Sequence, residues 1–280
     1  MILITRFLNL LGCHPANDSF HHFETSWLLP PVLLASIRSL FSLYAFVTIF
    51  FIFGWNGSHN DDDDSRRSFS YFTWLSFWGV AFYFLVAAIH TFLYAATGRS
   101  VVFDKCPRVV RVLHSIFYAT VTTFPFIVTI VYWAILYEDP WFPVTFEAWT
   151  NVSQHALPPF LSLFEIIFST TLPPHILHLP FLIFILALYV SLAYLTHATQ
   201  GFYTYSFLDP EENSSGLVAG YCFGILAGVI VVFGVVWLMH WGRQKAVGGK
   251  VKWARKDTEN WNRGVQREVV QYTKETVGQV

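Results

Sequence analysis

From Gly216 to Trp241 the chain reads GLVAGYCFGILAGVIVVFGVVWLMHW, 26 residues without an Asp, Glu, Lys or Arg. At ~1.5 Å per residue such a helix is ~39 Å long, enough to cross ~30 Å of hydrocarbon. Charge bounds the run on both sides, with Asp209, Glu211 and Glu212 before it and Arg243 after it. Five other runs have the same form, near residues 32–54, 70–96, 110–136, 154–172 and 178–200. All six are continuously apolar and lack the two-residue alternation of barrel strands. The sequence therefore predicts an all-α polytopic membrane protein, a bundle of six transmembrane helices. Composition points the same way. The 280 residues are 54% hydrophobic, 19% aromatic and 12% charged, with a mean hydropathy of +0.47. Soluble domains carry about 25% charged residues, so there is too little polar surface here to cover a water-soluble globule. Disorder, which needs low hydrophobicity and high charge, is excluded as well. A net charge of −1 excludes a nucleic-acid binder. Cys13, Cys106 and Cys222 are too widely spaced for a disulfide framework or a CxxC metal pattern.

The positions of the charges predict sidedness. Nine of the seventeen Lys and Arg follow Trp241, and Arg99, Lys105, Arg108 and Arg111 flank the second connection. The third and fifth connections hold no Lys or Arg, and the first sets Arg66 and Arg67 beside four aspartates, Asp61 to Asp64. By the positive-inside rule both termini are cytosolic. Three N-x-S sequons, at Asn56, Asn151 and Asn213, fall on the opposite side, and a fourth at Asn17 does not. Three regions follow: a cytosolic N-terminal segment (1–26), a six-helix transmembrane domain (27–242) and a basic cytosolic tail (243–280). Residues 2–11 resemble an interfacial helix more than a cleavable leader, and the tail suits contact with anionic lipid. The expected location is an integral membrane one, in the endoplasmic reticulum or another endomembrane, or in the plasma membrane.

Only Arg38 and Glu165 place a formal charge well inside a span. Either would be costly alone, so each is expected to face the bundle interior with a partner, and a long Arg side chain can reach the depth of Glu165. Histidines fall at matching depths, His90 with His114 and His155 with His197. Interhelical hydrogen bonding accounts for such residues, and a haem held between two histidines of different helices is the alternative. Thr73 and His155 are also expected at one depth. A hydroxyl beside an imidazole is the minimum for nucleophilic catalysis, because the alcohol is inert until a base accepts its proton. Glu165 cannot complete a triad with His155, since ten residues of helix separate them by ~15 Å.

At these residues the chain resembles a known family. The carrying stretches are Tyr71-Phe-Thr73-Trp74, then Trp149-Thr-Asn-Val-Ser-Gln-His155 through Leu157-Pro-Pro159 to Glu165. Leu172-Pro-Pro-His175, His178 and His197-Ala-Thr-Gln-Gly201 through Tyr205 to Asp209 follow. Over residues 30–242 it looks like a fungal member of the FAR-17a (androgen-induced-gene) family of membrane hydrolases, and it is similar to rolling-stone-type proteins too. The resemblance implies a threonine hydrolase cleaving fatty acid esters of hydroxy fatty acids, a membrane-lipid substrate, with Thr73 as nucleophile and His155 as base, and no cofactor. Trp74 and Tyr205, with Trp149 and Tyr203, would form an aromatic rim around a pocket opening between the second, fourth and fifth helices. His197 would orient His155 or donate to the oxyanion, and Glu165 is a further pocket candidate. Two other classes stay open: a bis-histidine haem cytochrome, and a non-enzymatic receptor, transporter or scaffold supported by the basic tail and Glu165.

Overall fold

The computed structural model describes residue 11 and residues 21–59, 62–138 and 140–247. The interfacial helix expected at 2–11 and the tail beyond 247 lie outside those residues, apart from Leu11. The described chain is all-α, and its one β-bridge joins Ser26 to Ser169. In order the helices are α1 (Pro31–Ser58), α2 (Asp62–Arg67), α3 (Phe72–Thr97), α4 (Val101–Lys105) and α5 (Arg108–Val131). After them come α6 (Thr145–His155), α7 (Leu157–Phe168), α8 (Leu179–Gln200) and α9 (Ser215–Val247). A π-helical turn, Tyr132–Leu136, prolongs α5. Among the described residues five helices are long and apolar enough to cross a membrane: α1, α3, α5 with its π turn, α8 with the turn before it, and α9. Their outward faces carry large apolar side chains such as Leu40, Phe92, Phe184, Phe223 and Val231. This is the surface of an integral membrane protein of several spans.

Local chemistry sets the helix ends. Pro31 opens α1 at a position where a missing N–H costs nothing. Gly98 and Gly201 end α3 and α8 in the left-handed conformation, at φ 71° and 77°, where a side chain would be strained. Between α1 and α3 the packing is close because small residues meet: Ala35, Ala45, Ala81 and Ala88 are fully or almost fully buried, and Ser42 donates to the Ala81 carbonyl at 3.0 Å. Central in the bundle is α5, which touches α3, α7, α8 and α9.

The expected fourth run, 154–172, is not one helix. It is α6 and α7 meeting at Ala156, whose φ of −117° and ψ of −44° break the helical path. Proline is the cause. Pro159 has no N–H for the carbonyl of His155, four residues earlier, and its ring crowds that carbonyl. The freed oxygen accepts instead from Thr129 Oγ at 2.6 Å and from the indole of Trp133 at 3.2 Å, both on the end of α5. The converse holds on α5. Pro125 lies inside that helix and leaves the Val121 carbonyl without its donor, and Ser162 of α7 donates to it at 2.7 Å. Each helix thus satisfies the carbonyl that proline frees on the other, as hydrocarbon requires. The pair is locked at two heights.

One end of the bundle holds a dry polar network. Arg38 is fully buried and meets Glu165 through two donors, Nε at 3.1 Å to Oε2 and Nη2 to Oε1. Its Nη1 donates to the Phe23 carbonyl at 2.8 Å and to Thr91 Oγ at 2.5 Å, and Tyr83 donates to Glu165 at 3.0 Å. The two charges expected inside the spans therefore pair with each other. Residues 21–26, assigned from sequence to a separate N-terminal segment, pack into this end, with Glu24, Thr25 and Ser26 buried. Helix α9 also continues past the boundary expected at 242, to Val247. The last carbonyls of α7 are all taken: Ile166 by Arg243, Ile167 by Trp27, Phe168 by Ser26, and Glu165 by Ser169 Oγ.

Candidate active site

Thr73 is the second residue of α3. The residue before the helix, Tyr71, is extended and offers no side-chain cap, so the first main-chain N–H groups of a 26-residue helix lack internal acceptors. Leu75 makes the first bond back, to the Tyr71 carbonyl at 3.2 Å. The Thr73 N–H reaches only the phenol oxygen of Tyr205, at 3.5 Å. The start of α3 is fixed from α8: Tyr189 donates to the Ser70 carbonyl at 3.2 Å, and Thr196 to Ser70 Oγ at 3.1 Å.

His155 is the last residue of α6 and is buried. Its main chain is held by the Thr129 and Trp133 bonds to its carbonyl. The ring is held as well. Nδ1 lies 3.1 Å from the Asn151 carbonyl; a carbonyl only accepts, so Nδ1 carries the hydrogen and Nε2 is left as the lone-pair nitrogen. The ring stacks on Tyr132, centroids 3.5 Å apart at 14°. Tyr132 in turn donates to Asn151 Oδ1 at 2.5 Å, and Asn151 Nδ2 donates to the Glu147 carbonyl at 2.9 Å. The imidazole is thus a base of fixed tautomer and fixed plane.

Thr73 and His155 line one cavity of about 510 Å³, together with Trp74, Tyr132, Gln154 and Tyr205. Its outer part holds Asp64, Arg67 and Glu147, so it mixes polar and aromatic walls. Among the described residues no hydrogen bond joins Thr73 Oγ to His155 Nε2; the two groups meet across the cavity. A second cavity of about 220 Å³ lies behind Thr73, lined almost wholly by apolar side chains of α5, α8 and α9, among them Val131, Leu186, Val190 and Leu226. Four residues belong to both walls: Thr73, Tyr132, Leu136 and Tyr205. Thr73 therefore stands where a greasy compartment meets a polar one.

The other candidates divide. Trp74 lines the polar cavity and stacks on Phe53 at 5.3 Å, and Trp149 packs edge-on against Phe51 at 5.6 Å. Tyr205 sits in the partition, its ring held by Phe207 at 5.2 Å and Tyr71 at 5.7 Å. Burial pushes the Tyr205 phenol above its ordinary pKa, against the hydrogen bonds it accepts from Thr73. His197 is not in either cavity wall. It stacks on Tyr203 at 3.8 Å, which turns it away from the part expected beside His155. Glu165 is also absent from both, being consumed by Arg38 and Tyr83. The polar cavity draws its walls from α1, α2, α3, the π-helical turn after α5, and α6, whereas α8, expected at its mouth, lines the apolar one. For a haem the histidine pairs are ill placed. The His90 and His114 rings lie 5.3 Å apart with Phe103 edge-on against both, at 4.7 and 5.2 Å, and His155 and His197 are each covered by a different tyrosine. Sequence reasoning missed Tyr132, Asn151, Thr129 and Trp133. The Pro158-Pro159 pair was the available signal, since it announces a carbonyl at His155 in need of a donor. Neither a family model, nor a curated protein, nor a solved structure matches this chain.

Proposed function

We propose that the chain is an integral membrane ester hydrolase with Thr73 as nucleophile and His155 as general base. The observation that carries this reading is the partition: a buried threonine hydroxyl and a histidine of fixed tautomer face one polar cavity, and the same threonine faces an apolar one. A long-chain ester fits that division. Its acyl chain lies in the compartment of Val131, Leu186 and Leu226, and its alcohol portion lies toward Trp74 and Arg67. The resemblance to the FAR-17a family supports the same residues and narrows the substrate to fatty acid esters of hydroxy fatty acids.

The Thr73 Oγ proton moves to His155 Nε2, across the cavity or through one water, as Oγ attacks the ester carbon. The carbonyl π pair moves to oxygen. Collapse of the tetrahedral species breaks the bond to the alcohol oxygen, which takes the proton from His155. Water, deprotonated by the same nitrogen, then releases the acid and restores Thr73. Around this site we read six crossings, α6 and α7 together supplying the fourth: their 11 and 12 residues rise at most ~35 Å. Both termini are cytosolic in this reading, in an endomembrane such as the endoplasmic reticulum or in the plasma membrane.

The test is hydrolysis of a long-chain ester by purified protein, with fluorophosphonate labelling in parallel. Both signals are expected to vanish in Thr73→Ala and in His155→Ala. Full activity in either variant sinks the mechanism. A protein that never labels and never hydrolyses is the scaffold or transporter of the alternative reading, and a Soret band would make it the cytochrome.

A further inference from the structure

Attack on an ester places negative charge on the former carbonyl oxygen, and that charge needs donors already in place. The polar cavity holds donors such as Gln154 and Arg67, but neither belongs to the partition at Thr73. Tyr132 has committed its hydroxyl to Asn151 Oδ1 at 2.5 Å. Arg67 lies over the Phe202 ring, 4.8 Å from its centroid, in the outer part of the cavity. His197, the donor expected from sequence, is outside both cavities. Two donors remain at the partition. One is the Thr73 N–H, at the uncapped start of α3, whose only acceptor is a phenol oxygen at the long distance of 3.5 Å. The other is the O–H of that same phenol.

Tyr205 is built to present this hydrogen. Its oxygen lies 3.5 Å from the Thr73 N–H, and its side chain belongs with Thr73 to the walls of both cavities. Its ring is clamped between Phe207, parallel at 8°, and Tyr71, near-perpendicular at 76°. Tyr189 is itself tied to Ser70 and Thr204, at 3.2 and 3.3 Å. The hydroxyl can turn but the ring cannot swing. Tyr132, the other phenol of the partition, gives its hydrogen to Asn151.

Resting on the hydrolase reading above, we infer that Tyr205 is a catalytic residue, the side-chain half of an oxyanion hole whose other half is the main-chain N–H of Thr73. The incoming carbonyl oxygen replaces the long Thr73–Tyr205 contact and accepts from both groups. Charge that develops there also meets the positive end of α3. No proton leaves Tyr205: it donates a hydrogen bond through both tetrahedral species, and burial keeps it protonated well into alkaline solution.

The experiment compares wild type with Tyr205→Phe, which keeps the ring and its aromatic packing and removes only the hydroxyl. With a long-chain ester, kcat is expected to fall about 10²-fold with KM changed less than about 3-fold, the loss typical of a single oxyanion donor. Fluorophosphonate labelling of Thr73 should slow in parallel, because the phosphonyl oxygen occupies the same position. Placing 3,5-difluorotyrosine at 205 supplies a test independent of Phe: the more acidic phenol should move the alkaline loss of kcat to lower pH. Unchanged kcat in Tyr205→Phe, or an alkaline limb indifferent to fluorination, overturns the assignment. If Thr73→Ala is inactive alongside such a result, the hydrolase reading survives without Tyr205; if Thr73→Ala is active, the site itself has been misread.

Discussion

Replacing Arg38 by methionine keeps the length and most of the volume of the side chain and deletes its charge. Glu165 would then sit in the bundle with a single donor, Tyr83 at 3.0 Å, in a position with no exposure to solvent. Leaving one member of a buried ion pair uncompensated typically costs about 3–5 kcal/mol, and that is the loss expected for Arg38→Met. Removing both charges, as Arg38→Met with Glu165→Met, gives a different sum. The desolvation of two ions no longer opposes folding, and Thr91 keeps its bond to the Ala87 carbonyl at 2.7 Å. What is lost is a donor for the Phe23 carbonyl and an acceptor for Tyr83, at about 1 kcal/mol each. The double variant should therefore be destabilised by only about 1–2 kcal/mol, less than either single change. Detergent-solubilised protein unfolded by SDS titration measures all four corners of the cycle. Because the pair lines neither cavity, the double variant should hydrolyse ester at close to the wild-type rate. Additive losses in the cycle, or a single-variant cost below about 1 kcal/mol, would refute the reasoning; an inactive but stable double variant would return Glu165 to the chemistry.

Two further outcomes follow from the site. Thr129→Val removes the shorter of the two bonds to the His155 carbonyl, 2.6 Å; at about 1 kcal/mol for the bond, stability should fall modestly while kcat falls more than KM changes, and combining it with Trp133→Phe should deepen the effect on rate. Ala187→Phe or Leu226→Trp fills the apolar cavity of about 220 Å³, so hydrolysis of a long-chain ester should drop at least tenfold while a short-chain ester is cleaved at nearly the original rate; equal losses on both would remove that cavity from the substrate path.

The spans were legible because hydrocarbon excludes charge with little tolerance. The run from Gly216 to Trp241 lies inside α9, and the helix overshoots it to Val247 only where Arg243 and Lys245 leave the apolar zone. The same logic found Arg38 and Glu165 as a pair. It failed at 154–172, where hydropathy registers an apolar run but not the missing N–H of Pro159. The site was legible in one dimension only. Counting residues along a helix estimates depth, and it set His155 and His197 alike; the angle around the helix decides which wall a side chain lines, and that is fixed by packing. For His155 the angle is set by Tyr132, Thr129 and Trp133, residues about 25 positions away that carry no motif. Tyr205 was found as a rim aromatic, since its type is common at interfaces, while its approach to the Thr73 amide depends on how the 201–214 connection returns over the start of α3.

The end of α7 has a consequence for how the chain is made. Its last carbonyls are satisfied by Ser169, by Trp27 and Ser26, which precede the helix in the chain, and by Arg243 in the last turns of α9. Until α9 arrives, the Ile166 carbonyl therefore lacks its side-chain donor, while Glu165, Ile167 and Phe168 have theirs from Ser169, Trp27 and Ser26. Arg243 also donates to the Thr171 carbonyl, so a single late side chain closes two adjoining segments. A chain without Arg243 would leave the Ile166 and Thr171 carbonyls without that donor, so one arginine near the end of α9 ties together the end of α7 and the segment that follows it.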